Sequence, residues 1–316
     1  HVGAEAQERI TISTDSVAAN QLGAYKINTI GVVPVAPHAD VPTSTIAGGT
    51  LLVMGGGVSE TLTVAAAETA KATAAKINGV TGTTGVTASA RTYASLAFTA
   101  TSAQALAING TTIGSFNASA TSVSDAVIKI NAASTTTGVT ATANSAGSAV
   151  ILFDADGDDI TLENNNAAGT MTVQTLLHDG TTTSGAAATL AVAGSTHSTR
   201  VVGNIEMSSS NTFSINISAA ANNLNNGATT AAISSVDAVD LSTQAGADSA
   251  IDVLDGAIEK ISSMRAELGA IENRLSHTVS NLMNVSEQTE NTRSLLQDAD
   301  FAVESSNLSK AQVLMQ

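Results

Sequence analysis

The chain has 316 residues and a formal net charge of −15, with 12% charged residues, 2% aromatic residues and no cysteine. The acidity argues against nucleic acid and against an anionic membrane surface, because both attract clustered Lys and Arg. The lack of cysteine excludes disulfides and thiolate metal sites. A core of small side chains suits shallow sheets and closely packed helices, and the length allows two or three domains.

The first predicted element is a strand over residues 7–17, in which Ile10 and Ile12 share one face. Leu22-Gly23 is expected to close this unit. The three prolines then fall between residues 34 and 42, and such a cluster indicates a linker or a domain boundary. The triplet Gly55-Gly56-Gly57 lacks the lysine and the strand–helix context of a phosphate-binding loop, so we predict a turn there.

An internal repeat follows. Lys-Ile-Asn at residues 76–78 recurs at 129–131, and Thr-Thr-Gly-Val-Thr-Ala at 83–88 recurs at 136–141, both with an offset of 53. A helix-compatible stretch lies ahead of each copy and a strand lies behind it. We therefore predict two strand-helix-hairpin units whose helices cover one side of an antiparallel sheet, which is an α+β arrangement.

The acidic run at residues 154–159 is the best candidate for a metal site. Asp154, Asp156 and Asp158 could supply oxygen ligands to Ca²⁺, but the glycine stands fourth rather than sixth, so the EF-hand spacing is absent. The favoured interpretation is an Asp-Gly hairpin turn between two strands, at 150–153 and 160–162. No histidine pair has the spacing of a zinc hydrolase, and His277 is expected on the exposed side of a helix.

Two polar segments, residues 180–198 and 219–235, have the composition of connectors. Short strands are predicted between them at 201–202 and 211–218. Matches to Asn-x-Ser/Thr, such as Asn109-Gly110-Thr111, are expected by chance in this composition, and they allow glycosylation only as a hypothesis.

The C-terminal region carries the most specific pattern. From Leu254 onward apolar residues recur every seven positions, with a second row three residues further along, and two such rows form a coiled-coil seam. We predict a helix from about Ser249 to Leu296 whose seam needs another long helix. The alternative, a helical hairpin within the chain, lacks a second helix of that length. The predicted interface comprises Leu254, Ile261, Leu268, Ile271, Leu275, Leu282, Val285 and Leu296.

Several segments resemble bacterial flagellins. Arg-Ala-Glu-Leu-Gly-Ala-Ile-Glu-Asn-Arg-Leu at 265–275, Asp-Ala-Asp-Phe-Ala at 298–302 and Ser-Asn-Leu-Ser-Lys-Ala-Gln-Val-Leu-Met-Gln at 306–316 resemble the flagellin C-terminal segment. Val2-Gly3-Ala4 with the following Ile-Thr-Ile is similar to the β-hairpin of the flagellin rod domain. The Lys-Ile-Asn repeats and Ala107 to Gly110 resemble the Ile-Asn motif of flagellins and hook-associated proteins.

The resemblance implies a rod domain with an inserted, β-rich outer domain. The rod would include a hairpin at 1–32 and a long coiled-coil-type helix at 233–300, with a filament-core segment beginning at 301–316. The outer domain would occupy 33–232, with repeats near 50–104 and 105–162. The resemblance also implies that the N-terminal helices and the last residues of a flagellin lie outside this sequence.

The implied function is a structural subunit of the flagellar filament, secreted by type III export and extracellular, with no catalysis and no cofactor. Its implied partners are other flagellin subunits, an export chaperone and a vertebrate innate immune receptor, with no nucleic acid and no membrane. The receptor surface would include Asn273, Arg274 and Leu275. The chaperone-binding segment would include Leu295, Phe301, Leu308, Val313 and Leu314.

Two alternatives stay open. One is a hook–filament junction protein, which shares the helical ends. The other is an adhesive or glycan-binding module on a flagellin-like scaffold, which would need aromatic residues to stack on sugars. The candidates for that stacking are Tyr93, Phe98, Phe116, Phe153 and Phe213.

Overall fold

The computed structural model describes residues 12, 16–29, 34–99, 102–194, 196–217, 227–241 and 244–316. The chain divides into two compact units, of which the larger is residues 17–260 and the other contains residues 261–316. The strand predicted over residues 7–17 falls mostly outside the described residues. The larger unit holds the strands and the short helices, and it is described first.

The strands of the larger unit are all antiparallel to the strands that they pair with. The first eight are β1 (Gly23–Asn28), β2 (Gly49–Gly55), β3 (Val58–Val64), β4 (Thr87–Phe98), β5 (Ser102–Ile108), β6 (Thr111–Ala118), β7 (Thr140–Ala143) and β8 (Ala149–Asp154). The next eight are β9 (Ile160–Asn164), β10 (Met171–Leu176), β11 (Thr183–Leu190), β12 (Ser198–Val201), β13 (Asn204–Ser209), β14 (Ser214–Ile217), β15 (Gly227–Thr230) and β16 (Ala232–Ser235).

In the described part of the chain, four short helices lie between these strands and one long helix follows them. They are α1 (Ala70–Gly79), α2 (Thr81–Thr84), α3 (Ser124–Ala132), α4 (Ser134–Thr137) and α5 (Gln244–Met315), with a 3₁₀ turn at Val236–Ala238 before α5. A long C-terminal helix and antiparallel sheets were expected from the sequence, and this coarse division is confirmed.

The strands of the described residues form three sheets. An eight-stranded sheet has the order β11-β10-β4-β13-β1-β16, with β8 paired to β4 and β7 paired to β8. Two four-stranded sheets have the orders β12-β9-β5-β6 and β15-β14-β2-β3. The 12-residue strand β4 pairs with β13 through its first half and with β8 and β10 through its second half, so it links the two ends of the large sheet.

Two segments of the larger unit share one order of elements: a hairpin, a helix, a single-turn helix and a strand. The elements β2, β3, α2 and β4 begin at residues 49, 58, 81 and 87, and β5, β6, α4 and β7 each begin 53 residues later. Both hairpins turn on two residues with positive φ, which are Gly56-Gly57 and Asn109-Gly110. Such residues favour the two-residue loops whose twist matches that of paired strands.

Each of these segments contributes to its own hydrophobic core. One core surrounds α3 and includes Phe98, Phe116 and Ile130, and the other surrounds α1 and includes Val53, Ile77 and Ile205. Fully burying one such side chain contributes about 1.5–3 kcal/mol of transfer free energy. The strand β4 supplies apolar side chains to both cores. The two cores therefore share one strand, but they are packed separately.

Several local predictions were wrong. Residue Gly23 begins β1 rather than closing a unit, and the predicted connectors at 180–198 and 219–235 contain β11, β15 and β16. The segment of β11, Thr-Ser-Gly-Ala-Ala-Ala-Thr-Leu, has the composition of a loop. It becomes a strand because β10 offers it a ladder of hydrogen bonds, and such pairing overrides weak intrinsic preferences.

The hairpin turn predicted at the acidic segment was also wrong. Strands β8 and β9 lie on either side of residues 155–159, as predicted, but they do not pair with each other. The partners of β8 are β4 and β7, and those of β9 are β5 and β12. The Asp-Gly segment is therefore a crossover between two sheets and not a hairpin turn.

Candidate assembly helix and its polar anchor

The long helix α5 has 72 residues and exceeds at both ends the range from Ser249 to Leu296 that the heptads predict. It begins at Gln244, after residue 233, where the resemblance places the start of the rod helix. Hydroxyl side chains along it donate to the carbonyl four residues earlier, including Thr289 to Val285 at 2.7 Å and Thr292 to Gln288 at 2.8 Å. Those two threonines occupy positions of the predicted apolar rows. Because their hydroxyl groups are satisfied within the helix, they interrupt the rows without leaving a polar group unpaired.

The first turns of α5 pack on β1 within the larger unit. The residues Ala250, Val253 and Ala257 lie on one helical face and are buried there. Between them, Gly256 brings the helix so close to β1 that a Cβ atom would lie 2.9 Å from the carbonyl oxygen of Gly23. Small side chains at this face therefore set the distance between the helix and the sheet.

A buried lysine joins the same turns to the sheet by hydrogen bonds. The Lys26 side chain is 8% exposed, and its Nζ donates to Glu206 Oε1 at 2.9 Å, Ser249 Oγ at 2.9 Å and Asp252 Oδ2 at 3.2 Å. Nearby, Arg91 Nη1 donates to Asp248 Oδ2 at 2.9 Å. A buried lysine is stable when its three donors are satisfied, so this cluster, here called the polar anchor, fixes the start of α5.

A histidine completes the polar anchor. The imidazole of His178 is buried, with Nε2 3.3 Å from Ser89 Oγ and Nδ1 3.9 Å from Glu206 Oε2. Burial lowers the pKa of His178, and the Arg91 and Lys26 cations act in the same direction. Burial alone would raise the pKa of Glu206, but the Lys26 ammonium, which donates a hydrogen bond to it, brings that pKa below its usual range. No sequence pattern points to this cluster, because its members are far apart along the chain.

The predicted interface residues of α5 remain accessible. In the described structure Leu268 is 48% exposed and Leu282 is 38% exposed, and the row includes further exposed members. Ile271 and Leu275 are partly buried. The exposed members are Leu254, Ile261, Leu268, Leu282, Val285 and Leu296.

The exposed apolar surface is wider at its start than the predicted pattern. The predicted second row begins at Ala257, which is buried against the sheet, whereas Ile251 and Ile258 are exposed beside Leu254 and Ile261. Three- and four-residue steps connect these four side chains, so they lie on one face of the helix. A careful count of alternative heptad registers could have found this face from the sequence.

The other predicted contact residues also lie on exposed parts of α5. Residues Asn273 and Arg274 are exposed beside the partly buried Leu275. All five residues of the predicted chaperone-binding segment are exposed. Among the described residues, no helix combines the length and the apolar composition needed to cross a membrane.

The candidate calcium ligands already have protein partners. The Oδ1 atom of Asp154 accepts the backbone N–H groups of Asp156 at 3.0 Å and Gly157 at 3.1 Å, and burial raises the pKa of Asp154. Lys71 Nζ lies 2.9 Å from a carboxylate oxygen of Asp156 and 2.9 Å from one of Asp158. No group of three His, Asp or Glu residues in the described part of the chain is arranged to hold a metal ion.

The aromatic candidates for sugar stacking are mostly in the interior. Phe98, Phe116 and Phe213 are buried core residues. Tyr93 and Phe153 stack on each other, with ring centroids 4.5 Å apart. This arrangement leaves few open aromatic faces for a glycan.

Two family models match the chain. Residues 251–316 match the bacterial flagellin C-terminal helical region, which covers most of α5, and residues 52–102 match the flagellin hook IN motif, which covers the α1 segment. The chain is therefore similar to bacterial flagellins in both segments. The resemblance noted in the sequence is thereby confirmed.

Similar proteins carry flagellin names. The B-type flagellin of Pseudomonas aeruginosa is 34% identical over 269 residues, which are 80% of this chain and 52% of the relative. Polar flagellin C of Vibrio parahaemolyticus is 45% identical over 82 residues, and flagellin A of Vibrio anguillarum is 45% identical over 78 residues. These cover 26% and 25% of this chain and 21% of each relative. The chain thus spans about half of the Pseudomonas protein's length and about a fifth of the Vibrio proteins' lengths.

Proposed function

We propose that this chain is a structural subunit of the bacterial flagellar filament and assembles through α5. The single observation that carries the proposal is the long row of exposed apolar side chains on a helix whose first turns are fixed by the polar anchor. Covering such a row by another helix removes apolar area from water at roughly 25 cal/mol per Å². The subunit works as a scaffold, with no catalytic step, outside the cell.

The division into domains belongs to the same proposal. The helix α5 serves as the rod helix and, from residue 301, as the start of the filament-core segment. The hairpin–helix–strand segments are two units of the outer domain, which spans residues 33–232. The constant spacing of 53 residues between equivalent elements supports their being copies of one unit. The rod-domain role of residues 1–32 stays a prediction.

Further partners are proposed on the exposure of their contact residues. An export chaperone would bind the apolar side chains between Leu295 and Leu314, which are accessible along the last turns of α5. An innate immune receptor would contact Asn273 and Arg274 beside Leu275. Neither the junction-protein alternative nor the glycan-binding alternative gains support, because the similar proteins are named flagellins and most aromatic side chains are buried.

The proposal is tested by placing a charge in the apolar row of the full-length flagellin that carries this chain. Leu268→Asp and Leu282→Asp should abolish filaments in cells that lack other flagellins, because a carboxylate in a helix seam loses its water without gaining a partner. Ser263→Asp, on an exposed position of the same helix outside the row, is the matched control. Electron microscopy would contradict the proposal if the leucine variants formed filaments as abundantly as the control.

A further inference from the structure

Two asparagines at the ends of helices make the same unusual contact. Asn78, near the end of α1, accepts the N–H of Ala88 at Oδ1 (2.7 Å) and donates from Nδ2 to the carbonyl oxygen of Ala88 (2.8 Å). Asn131, near the end of α3, makes the equivalent pair with Ala141, at 2.7 Å and 2.8 Å. One side-chain amide thus occupies both backbone groups of a single strand residue.

The direction in which those backbone groups point shows which side of the strand the asparagine covers. In an antiparallel ladder the N–H and C=O of one residue point to the same side of the strand. Ala88 lies opposite Met207 of β13, and Ala141 lies opposite Leu152 of β8. Because the asparagines take both groups, those groups point away from β13 and β8. On that side no strand in the described part of the chain pairs with Ala88 or Ala141.

The strand segments involved have no charge and no proline of their own to protect a sheet edge. Residues 87–90 read Thr-Ala-Ser-Ala and residues 140–143 read Thr-Ala-Thr-Ala, with neither a charge nor a proline. An uncharged strand with unpaired backbone groups is a template for another strand, and proteins block such edges with charges, prolines, bulges or a covering helix. Here the helix ends are the cover, and the buried Ile77 and Ile130 beside the asparagines hold them in place.

We propose that Asn78 and Asn131 close two open sheet edges, and thereby prevent strand addition by a second copy of this chain. Each amide imitates the neighbouring strand that is missing, since it offers one acceptor and one donor at the spacing of a backbone peptide group. Subunits packed in a filament, as under the proposed function, meet one another at high local concentration. Closed edges direct the contacts between subunits to α5 and prevent contacts through β4 and β7.

The first measurement is amide hydrogen exchange in the purified chain. Asn78→Ala and Asn131→Ala should speed exchange at the backbone N–H of Ala88 and Ala141 respectively, by roughly fivefold, since each N–H loses a hydrogen bond worth about 1 kcal/mol. Asn→Asp at either position keeps the acceptor and loses the donor, so exchange should rise less. Asn117→Ala, at an exposed position of β6, is the matched control and should leave both amides unchanged. Unchanged exchange in the alanine variants would overturn the proposal.

The second measurement is self-association by sedimentation velocity over a range of concentrations. The Asn78→Ala/Asn131→Ala double variant should associate more strongly than the unaltered chain and the control. Adding Thr140→Lys and Thr87→Lys to the double variant should return association to the unaltered level, because an edge lysine blocks pairing. A double variant that melts earlier but sediments like the unaltered chain would show that the asparagines only stabilise the fold, which overturns the proposal. Because α5 is unchanged in all these variants, failure here is distinct from failure of the filament proposal.

Discussion

The larger unit and the C-terminal part of α5 differ in whether their apolar side chains are buried. In the larger unit, α1 and α3 bury their isoleucines in cores closed by sheets of the same chain. From Ile261 onward α5 presents apolar side chains that remain accessible in the described structure. The contrast teaches that one region buries its apolar side chains within the chain, whereas the proposed function assigns the other its burial through assembly.

The largest expected effect separates the two regions directly. Ile130→Ala should lower the free energy of unfolding of the larger unit by about 2–5 kcal/mol, because it removes a fully buried side chain and leaves a cavity. Leu282→Ala, at an exposed position of α5, should change the stability of the same chain by less than about 0.5 kcal/mol. Urea unfolding monitored by circular dichroism measures both free energies of unfolding. Equal losses of stability in the two variants would contradict the difference between the two regions.

A second substitution tests the polar anchor between β1 and α5. Lys26→Ala should destabilise the larger unit by about 3 kcal/mol, because Glu206 is left buried without its lysine. Lys129→Ala is the control, since that lysine is exposed on α3. Thermal and urea unfolding of the two variants should differ clearly. Equal stabilities would mean that the anchor contributes no more than a surface charge.

A smaller effect is expected from the close approach of α5 to β1. Gly256→Val should destabilise the larger unit by about 1–3 kcal/mol, because its Cβ would lie within 3.0 Å of β1 atoms and force the helix outward. Gly269→Val, where a Cβ atom meets nothing within 4 Å, is the matched control. Similar melting temperatures for the two variants would contradict the tight packing.

The smallest effect concerns pH. The folded-state pKa of His178 is lowered, so between its ordinary value near 6.5 and that lowered value the unfolded chain binds more protons. The contribution of His178 to stability is therefore complete above about pH 6.5 and is lost as the pH falls below it. His178→Gln should flatten the decline in stability between pH 7.5 and 5.5. Asp154 and Asp159, whose pKa values are raised, contribute with the opposite sign, so the comparison uses the difference between variant and unaltered chain.

The sequence predicted different parts of the molecule for different physical reasons. The helix α5 was predictable because its heptads are local in the chain, and the helices α1 and α3 because each leads into a copy of the internal repeat. Strands β10, β11 and β13 were missed. The small and polar residues of β11 form a strand only through pairing with β10, whereas β10 alternates apolar and polar residues from Met171 and could have been found from that pattern. For β13 the pairing joins Met207 to Ala88.

The candidate site also has a part that the sequence predicts and a part that it does not. The exposed row of α5 followed from periodicity, although its start at Ile251 and Ile258 was missed. The polar anchor could not be predicted, because Lys26, Glu206 and Asp252 lie in three distant segments that only the folded chain brings together. The amide contacts of Asn78 and Asn131 were likewise hidden, since the repeat showed that these residues recur but not what they bind.

The most direct test of the central claim uses the absence of cysteine. Single substitutions Leu268→Cys, in the apolar row, and Ser263→Cys, outside it, each create the only thiol of the chain. In the purified 316-residue chain both thiols should react with a maleimide at similar rates. In filaments of the full-length flagellin, the thiol at position 268 should be strongly protected. A thiol at position 268 that reacts as fast in filaments as in the purified chain would contradict the account.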